Sequence, residues 1–153
     1  MKATARTITQ AGRDDLAALT PLFDAYRAFF AGKSDEAQSR AFLSERLQLD
    51  DSVIFIARRA QESVGFIQLY ALWSSWYCKR LWFLSDLYVE ESSRGAGVAK
   101  ALVERAVEHA RASAASSIMV ELPRREPHLK AFYAKLGFHE DQVFDLARHR
   151  IGG

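Results

Sequence analysis

Leu84-Ser85-Asp86-Leu87-Tyr88-Val89-Glu90-Glu91-Ser92-Ser93-Arg94-Gly95-Ala96-Gly97-Val98-Ala99-Lys100-Ala101-Leu102 changes character twice along its length. The first third is apolar and β-prone, the middle is a short polar turn with two glycines, and the last third begins an apolar pattern at helical spacing. The stretch therefore predicts a strand, a tight loop and a helix start. Such a junction aims backbone N–H groups outward at the positive end of a helix dipole. Small residues at Gly95, Gly97 and Ala99 let an anion approach the main chain, which suits a phosphate or pyrophosphate. There is no Gly-Lys-Ser/Thr ending of a P-loop and no full dinucleotide fingerprint.

Downstream, Ala99, Leu102, Val103, Ala106, Val107 and Ala110 share one helical face, with Lys100, Glu104, Arg105, Glu108 and Arg111 mostly on the other. His109 is read here as a structural residue on the surface side of that helix. After a small-residue turn, Ile118–Leu122 reads as a short strand, which a strand-helix-strand order places parallel to the strand ending at Val89. Glu126-Pro127 opens another helix carrying Leu129, Phe132, Tyr133 and Leu136, which Gly137 is placed to end. Phe138–Leu146 is expected to return as a final strand or strand pair.

Upstream, Thr4–Thr9 reads as a first strand. Leu16, Leu19, Phe23, Tyr26 and Phe30 then mark an apolar helical face, with Pro21 expected to kink the helix. Ser34-Asp35-Glu36 begins a second helix running to about Leu47. Val53–Ala57 and Val64–Tyr70 read as an antiparallel hairpin, and Gly65 within it marks a bulge or a close backbone approach. Leu72–Tyr77 is expected to be a polar and aromatic link into the strand Leu81–Val89.

A chain of 153 residues suits a single domain, 1–153, with a core large enough to stand without staples. Hydrophobic residues at 49% and charged residues at 26% are those of an ordinary globular protein. A formal net charge of +2 points to no nucleic-acid partner. A single cysteine, Cys78, excludes an internal disulfide and a Cys-rich zinc site. With no signal-like N-terminus and no membrane-spanning run, a cytoplasmic protein without membrane association is expected.

Arg94, Gly97 and Ala99 form the pattern Arg-x-x-Gly-x-Ala, which resembles the coenzyme A pyrophosphate loop of the GNAT superfamily of N-acetyltransferases. Phe132-Tyr133-Ala134-Lys135-Leu136-Gly137-Phe138 is similar to the Phe-Tyr-x-x-x-Gly-Phe segment near the C-terminus of the same enzymes, at the same distance and in the same order. The resemblance covers nearly the whole chain, and Phe83–Val89 looks most like the diamine acetyltransferase branch. One of that branch's acidic pair is Ser85 here, leaving Asp86, and Glu126 stands where many members have Asn.

The resemblance implies a mixed α/β GNAT fold, a twisted sheet of six or seven strands split around the cofactor and flanked by about four helices. It also implies direct attack of an amine on the thioester of acetyl-CoA, without metal. On that reading Leu87, Tyr88 and Val89 hold the pantetheine arm. Arg94, Gly95, Ala96, Gly97, Val98, Ala99 and Lys100 hold the pyrophosphate. Tyr133, also at the cofactor, is the general acid, because a phenol near pKa 10 is protonated at neutral pH yet can supply a thiolate whose parent thiol lies near about 8.5.

The attacking ammonium must first lose a proton, and Asp86 is the nearest acidic candidate for that base and for amine binding, with Glu121 and Glu90 behind it. Asp86 reads equally as a capping or salt-bridging carboxylate. Tyr26 and Phe30, with Phe29, read as core or as one wall of the acceptor site. Trp73 and Trp76, with Tyr70 and Tyr77, line an acceptor pocket for a cationic amine or mark the surface of an expected homodimer. The acceptor implied is a small primary amine or amino-acid-like molecule. A protein N-terminus or lysine is the alternative acceptor, and a coenzyme A-binding module without chemistry is the alternative class.

Overall fold

The computed structural model describes residues 6–152; Thr4 and Ala5 of the expected first strand lie outside the described residues. By contact the chain falls into two compact units, Met1–Glu121 and Leu122–Gly153.

The first unit is a five-stranded sheet in the order β1-β2-β3-β4-β5, formed by Arg6–Gln10, Ser52–Arg59, Glu62–Ser74, Lys79–Val89 and Ser117–Val120. The first four strands are antiparallel neighbours, and β5 runs parallel to β4. Helices α1 (Leu16–Ala31) and α2 (Glu36–Leu49) follow β1, and α3 (Val98–Ala112) connects β4 to β5. Pro21 is accommodated within the single 16-residue element α1. Asp35 caps α2, its side chain accepting from the Gln38 N–H at 3.0 Å.

Strand alternation sorts the core into two layers. Ile54 and Ile56 of β2 and Phe66 of β3 are buried against Leu19, Leu22 and Phe23 of α1 and Leu43 of α2. Phe55, one residue out of phase, faces the other way and meets His109 of α3 edge to face, with ring centroids 5.6 Å apart. Trp82 of β4 meets the same imidazole at 4.8 Å. His109 is thus half-buried against the sheet rather than on the outer side of its helix: it stands seven residues after Leu102 and shares that buried residue's stripe.

The hairpin reading holds, and β3 is longer than expected. Leu72, Trp73 and Ser74 are paired with Leu81, Arg80 and Lys79, so the aromatic link is mostly strand and its turn is confined to residues 75–78. Gly65 is the close approach that its position suggests: a β-carbon there would sit 2.7 Å from the Tyr88 carbonyl oxygen on β4.

The second unit contains α4 (Pro127–Lys135), with proline at its first position. The Phe138 N–H closes the helix end onto the Tyr133 carbonyl at 3.0 Å. No strand follows among the described residues, so the sheet has five strands rather than six or seven, and Phe138–Leu146 is irregular. The local reason is visible at Asp141, whose carboxylate accepts from the N–H groups of Val143 at 2.7 Å and Phe144 at 2.8 Å. That turn consumes the donors a ladder would need.

Candidate active site

Strand β4 carries a one-residue bulge. Leu84 opposes Leu69 and Asp86 opposes Gln68, so Ser85 is the extra residue. Leu69 and Gln68 are adjacent on β3 and face opposite sides. The bulge therefore puts Asp86 on the opposite face from Leu84, although the two are separated by one residue and would share a face in a regular strand. Asp86 lies on the α1 and α2 side, with Phe66 and Gln68.

Asp86 is 8% exposed. Gln68 Nε2 donates to its Oδ2 at 2.9 Å, and Ser52 Oγ donates to Gln68 Oε1 at 3.0 Å. The Tyr26 hydroxyl, from α1, donates to the carbonyl of the bulged Ser85 at 3.3 Å. Burial pushes the Asp86 carboxyl above the ordinary carboxylate value, and hydrogen bonds from Gln68, Tyr26 and Ser85 oppose that rise. Tyr70, a neighbour on β3, is also pushed up by burial and by the Asp86 charge.

Pairing with β5 stops at Leu84, opposite Val120, while β4 continues to Val89. Along Ser85–Val89, including Leu87 and Tyr88, the edge of β4 away from β3 has no strand partner among the described residues. An extended ligand with amide groups can lie there as an added strand does.

After Val89 the chain makes a 3-10 turn, Glu91–Ser93, and enters α3 through Arg94, Gly95, Ala96 and Gly97. Gly95 (φ 76°) and Gly97 (φ 74°) are both left-handed, a conformation glycine adopts without the Cβ penalty. Gly97 caps α3 without a side chain, and no acidic residue occupies the first turn. The N–H groups of Val98, Ala99 and Lys100 thus lack both an intrahelical acceptor and an acidic side chain in that turn. A β-carbon on Gly97 would meet only Arg6 Nη1, at 3.6 Å. The donors, the open approach and the positive helix end fit a pyrophosphate.

The cations expected at this loop are partly engaged. Arg94 Nε donates to the Val89 carbonyl at 2.9 Å and its guanidinium lies 5.8 Å from the Tyr88 ring centroid, so it braces the loop. Lys100 is exposed beside Glu104 at 3.7 Å. Sequence reasoning missed Arg6, whose Nη1 donates to the Ala96 carbonyl at 3.1 Å. The two are ninety positions apart, and no local pattern could have joined them.

The aromatic candidates divide. Tyr26 reaches the bulge, and Phe30, largely exposed, stands edge-on to it at 5.1 Å. Trp73 is not brought to Asp86: the register places it on the α3 side of the sheet, under the Arg80 guanidinium at 4.9 Å. Trp76 lies in the turn beyond, 72% exposed and stacked on Tyr77. In the second unit Tyr133 is buried on α4, its ring 5.1 Å from Phe132 and 5.4 Å from Phe138. Burial pushes its phenol up to about 12, so it holds its proton at neutral pH.

The model of the acetyltransferase (GNAT) family matches residues 19–138. A Bacillus subtilis (strain 168) protein described as the uncharacterized N-acetyltransferase YhfO is 36% identical over 137 residues, 90% of this chain and 92% of that one. A crystal structure of a probable acetyltransferase is 37% identical, covering 96% of this chain and 99% of that one with a TM-score of 0.92. The aminoglycoside N-acetyltransferase AAC(6')-Iy in complex with CoA shares the fold, at 21% identity over 96% of each chain and a TM-score of 0.77. A mixed sheet opening beyond Leu84, a glycine-bearing helix entrance and a family match over most of the length converge: the chain belongs to the GNAT family and is an acetyl-CoA-dependent acetyltransferase.

Proposed function

We propose that this enzyme acetylates a small primary amine, with Asp86 taking the proton from the ammonium and Tyr133 acting as general acid. The observation that carries the proposal is the Ser85 bulge, which turns a buried carboxylate away from the α3 layer beside the unpaired edge of β4. A carboxylate there attracts a cation. Its raised pKa brings it nearer to the range in which a base works at neutral pH.

Acetyl-CoA supplies the activated acetyl thioester and a thiol leaving group. The backbone of Leu87, Tyr88 and Val89 offers hydrogen bonds to its amide-bearing arm, and residues 94–100 offer donors to its pyrophosphate. Asp86 accepts one ammonium proton at a carboxylate oxygen, leaving the nitrogen lone pair free to attack the carbonyl carbon; as the C–N bond replaces the C–S bond, the nitrogen gives up its second proton to solvent. Tyr133 Oη holds a proton for the departing sulfur. Tyr26 and Phe30 form the aromatic wall facing the amine. The single acid at Asp86, with Ser85 in place of a second, suits a monoamine or amino-acid-like acceptor as well as a diamine.

The test is release of free thiol from acetyl-CoA in the presence of polyamines, amino acids, aminoglycosides and short peptides. Turnover with a small amine, lost in Asp86→Asn, supports the proposal. Turnover with peptides alone overturns the acceptor class, and full activity in Asp86→Asn overturns the base.

A further inference from the structure

Gln68 is a neutral amide buried in the middle of the sheet, fully shielded from solvent on the layer where Phe66 and Ile54 present hydrocarbon. An amide there is costly unless both its ends are bonded. Both are. Ser52 Oγ donates to Oε1 at 3.0 Å and Nε2 donates to Asp86 Oδ2 at 2.9 Å. An ionised carboxylate only accepts, so the NH2 group must face Asp86, and the Ser52 hydroxyl, which can donate, satisfies the amide oxygen at the other end. The register builds the chain of contacts: Gln68 opposes Asp86 on β4 and Ile54 on β2, with Ser52 two residues along.

We infer that Gln68, held by Ser52, is a positioning residue that fixes the Asp86 carboxylate at the acceptor site without cancelling its charge. The inference rests on the reading of Asp86 as the proton acceptor. The other groups around the carboxylate are also uncharged: Tyr26 from α1, Ser85 on β4 itself, and Tyr70 on β3, held neutral by burial. The nearby cation Arg46 of α2, which acts on Tyr70, pairs with Asp51 at 2.8 Å and with Glu45 at 3.0 Å. Among the described residues no lysine or arginine forms an ion pair with Asp86, so its charge is left for an incoming ammonium. A hydrogen bond to the ionised form favours that form, so Gln68 restrains the rise that burial imposes.

The experiment uses Gln68→Leu, Ser52→Ala and Ser52→Thr, with two readouts. One is the carbon NMR titration of the Asp86 carboxyl in the ligand-free protein, its resonance identified by loss in Asp86→Asn. The other is the pH profile of kcat/KM for thiol release. Expected in Gln68→Leu are an Asp86 midpoint at higher pH, an acid limb moved the same way, and, because the carboxylate is no longer held in place, kcat/KM on the plateau above that limb lower by about tenfold or more despite the stronger base. Ser52→Ala moves both in the same direction by less, and Ser52→Thr, which keeps the donor, restores the parent behaviour. Should Gln68→Leu not fold, the Ser52 pair carries the comparison. An unmoved Asp86 midpoint in Gln68→Leu, or in Ser52→Ala where that variant stands in, overturns the role of Gln68. A midpoint that moves while the acid limb stays fixed overturns instead the assignment of Asp86 as the base.

Discussion

Asp86 and Tyr133 are two acids displaced in the same direction by burial, with opposite consequences for chemistry. A carboxyl raised above its ordinary value becomes a better base while still ionising. A phenol at about 12 is fully protonated at neutral pH, so its proton is in place for a leaving group, but burial makes it a weaker acid. On the proposed mechanism activity should therefore fall at low pH along a limb above the ordinary carboxylate value of 3.8, because the proposed base, Asp86, works ionised. The phenol contributes no alkaline limb below about pH 10. Tyr133→Phe should lower kcat by about a hundredfold while acetyl-CoA affinity, read by calorimetry, changes less than about twofold; equal activity in variant and parent removes the acid assignment. Both residues could be singled out from the sequence as candidates. The side of the sheet on which Asp86 lies could not be read there, because strand alternation read from sequence assumes an unbroken register and nothing around Ser85 announces the extra residue.

The glycine-bearing entrance to α3 was the most legible element, since its conformation, open surface and dipole all follow from a few small residues in sequence. Gly97→Val sets a β-branched side chain at φ 74° over the donors of the first turn. Strain of about 1–3 kcal/mol should lower Tm by a few degrees, and coenzyme A affinity should fall more than about tenfold in calorimetry on a protein that keeps its circular dichroism. Retained affinity would show that the anion does not approach there. Elements whose form depends on distant partners were harder to read. Strand β3 extends through Trp73 and Ser74 because β4 supplies Arg80 and Lys79 as partners, and this carries Trp73 to the face of the sheet opposite Asp86. Phe138–Leu146 has strand-like composition yet is irregular, with the Asp141 turn holding its backbone donors. Composition ranks local preference, whereas a strand also needs an edge to pair with.

For the folded molecule the two buried carboxylates pull stability in opposite directions. Asp24 of α1 accepts from the Ser34 and Ser39 hydroxyls and from the Asp35 N–H, tying the start of α2 to α1. The Ser34 and Ser39 hydrogen bonds hold its carboxyl below 3.8. The unfolded chain therefore binds more protons at this position just below 3.8, and the stability Asp24 contributes at neutral pH is lost as pH falls through that window. Asp86 has the reverse sign. Its raised value means that the folded state binds more protons between 3.8 and that value, so stability declines as pH rises through the interval, and at neutral pH the ionised carboxylate is a net burden. Asp86→Asn keeps an acceptor for Gln68 Nε2 and removes the buried charge. It should raise Tm at pH 7 by about 2–4 °C, the shift that about 1 kcal/mol gives in a domain of this size, while turnover is lost. Asp24→Asn should lower Tm at pH 7, with the difference from the parent shrinking as the pH is taken below 3.8. Thermal melts of the two variants from pH 3 to pH 8 separate the signs. If Asp86→Asn melts below the parent at pH 7, the carboxylate is holding the sheet together there, and its burial serves structure in place of acetyl transfer.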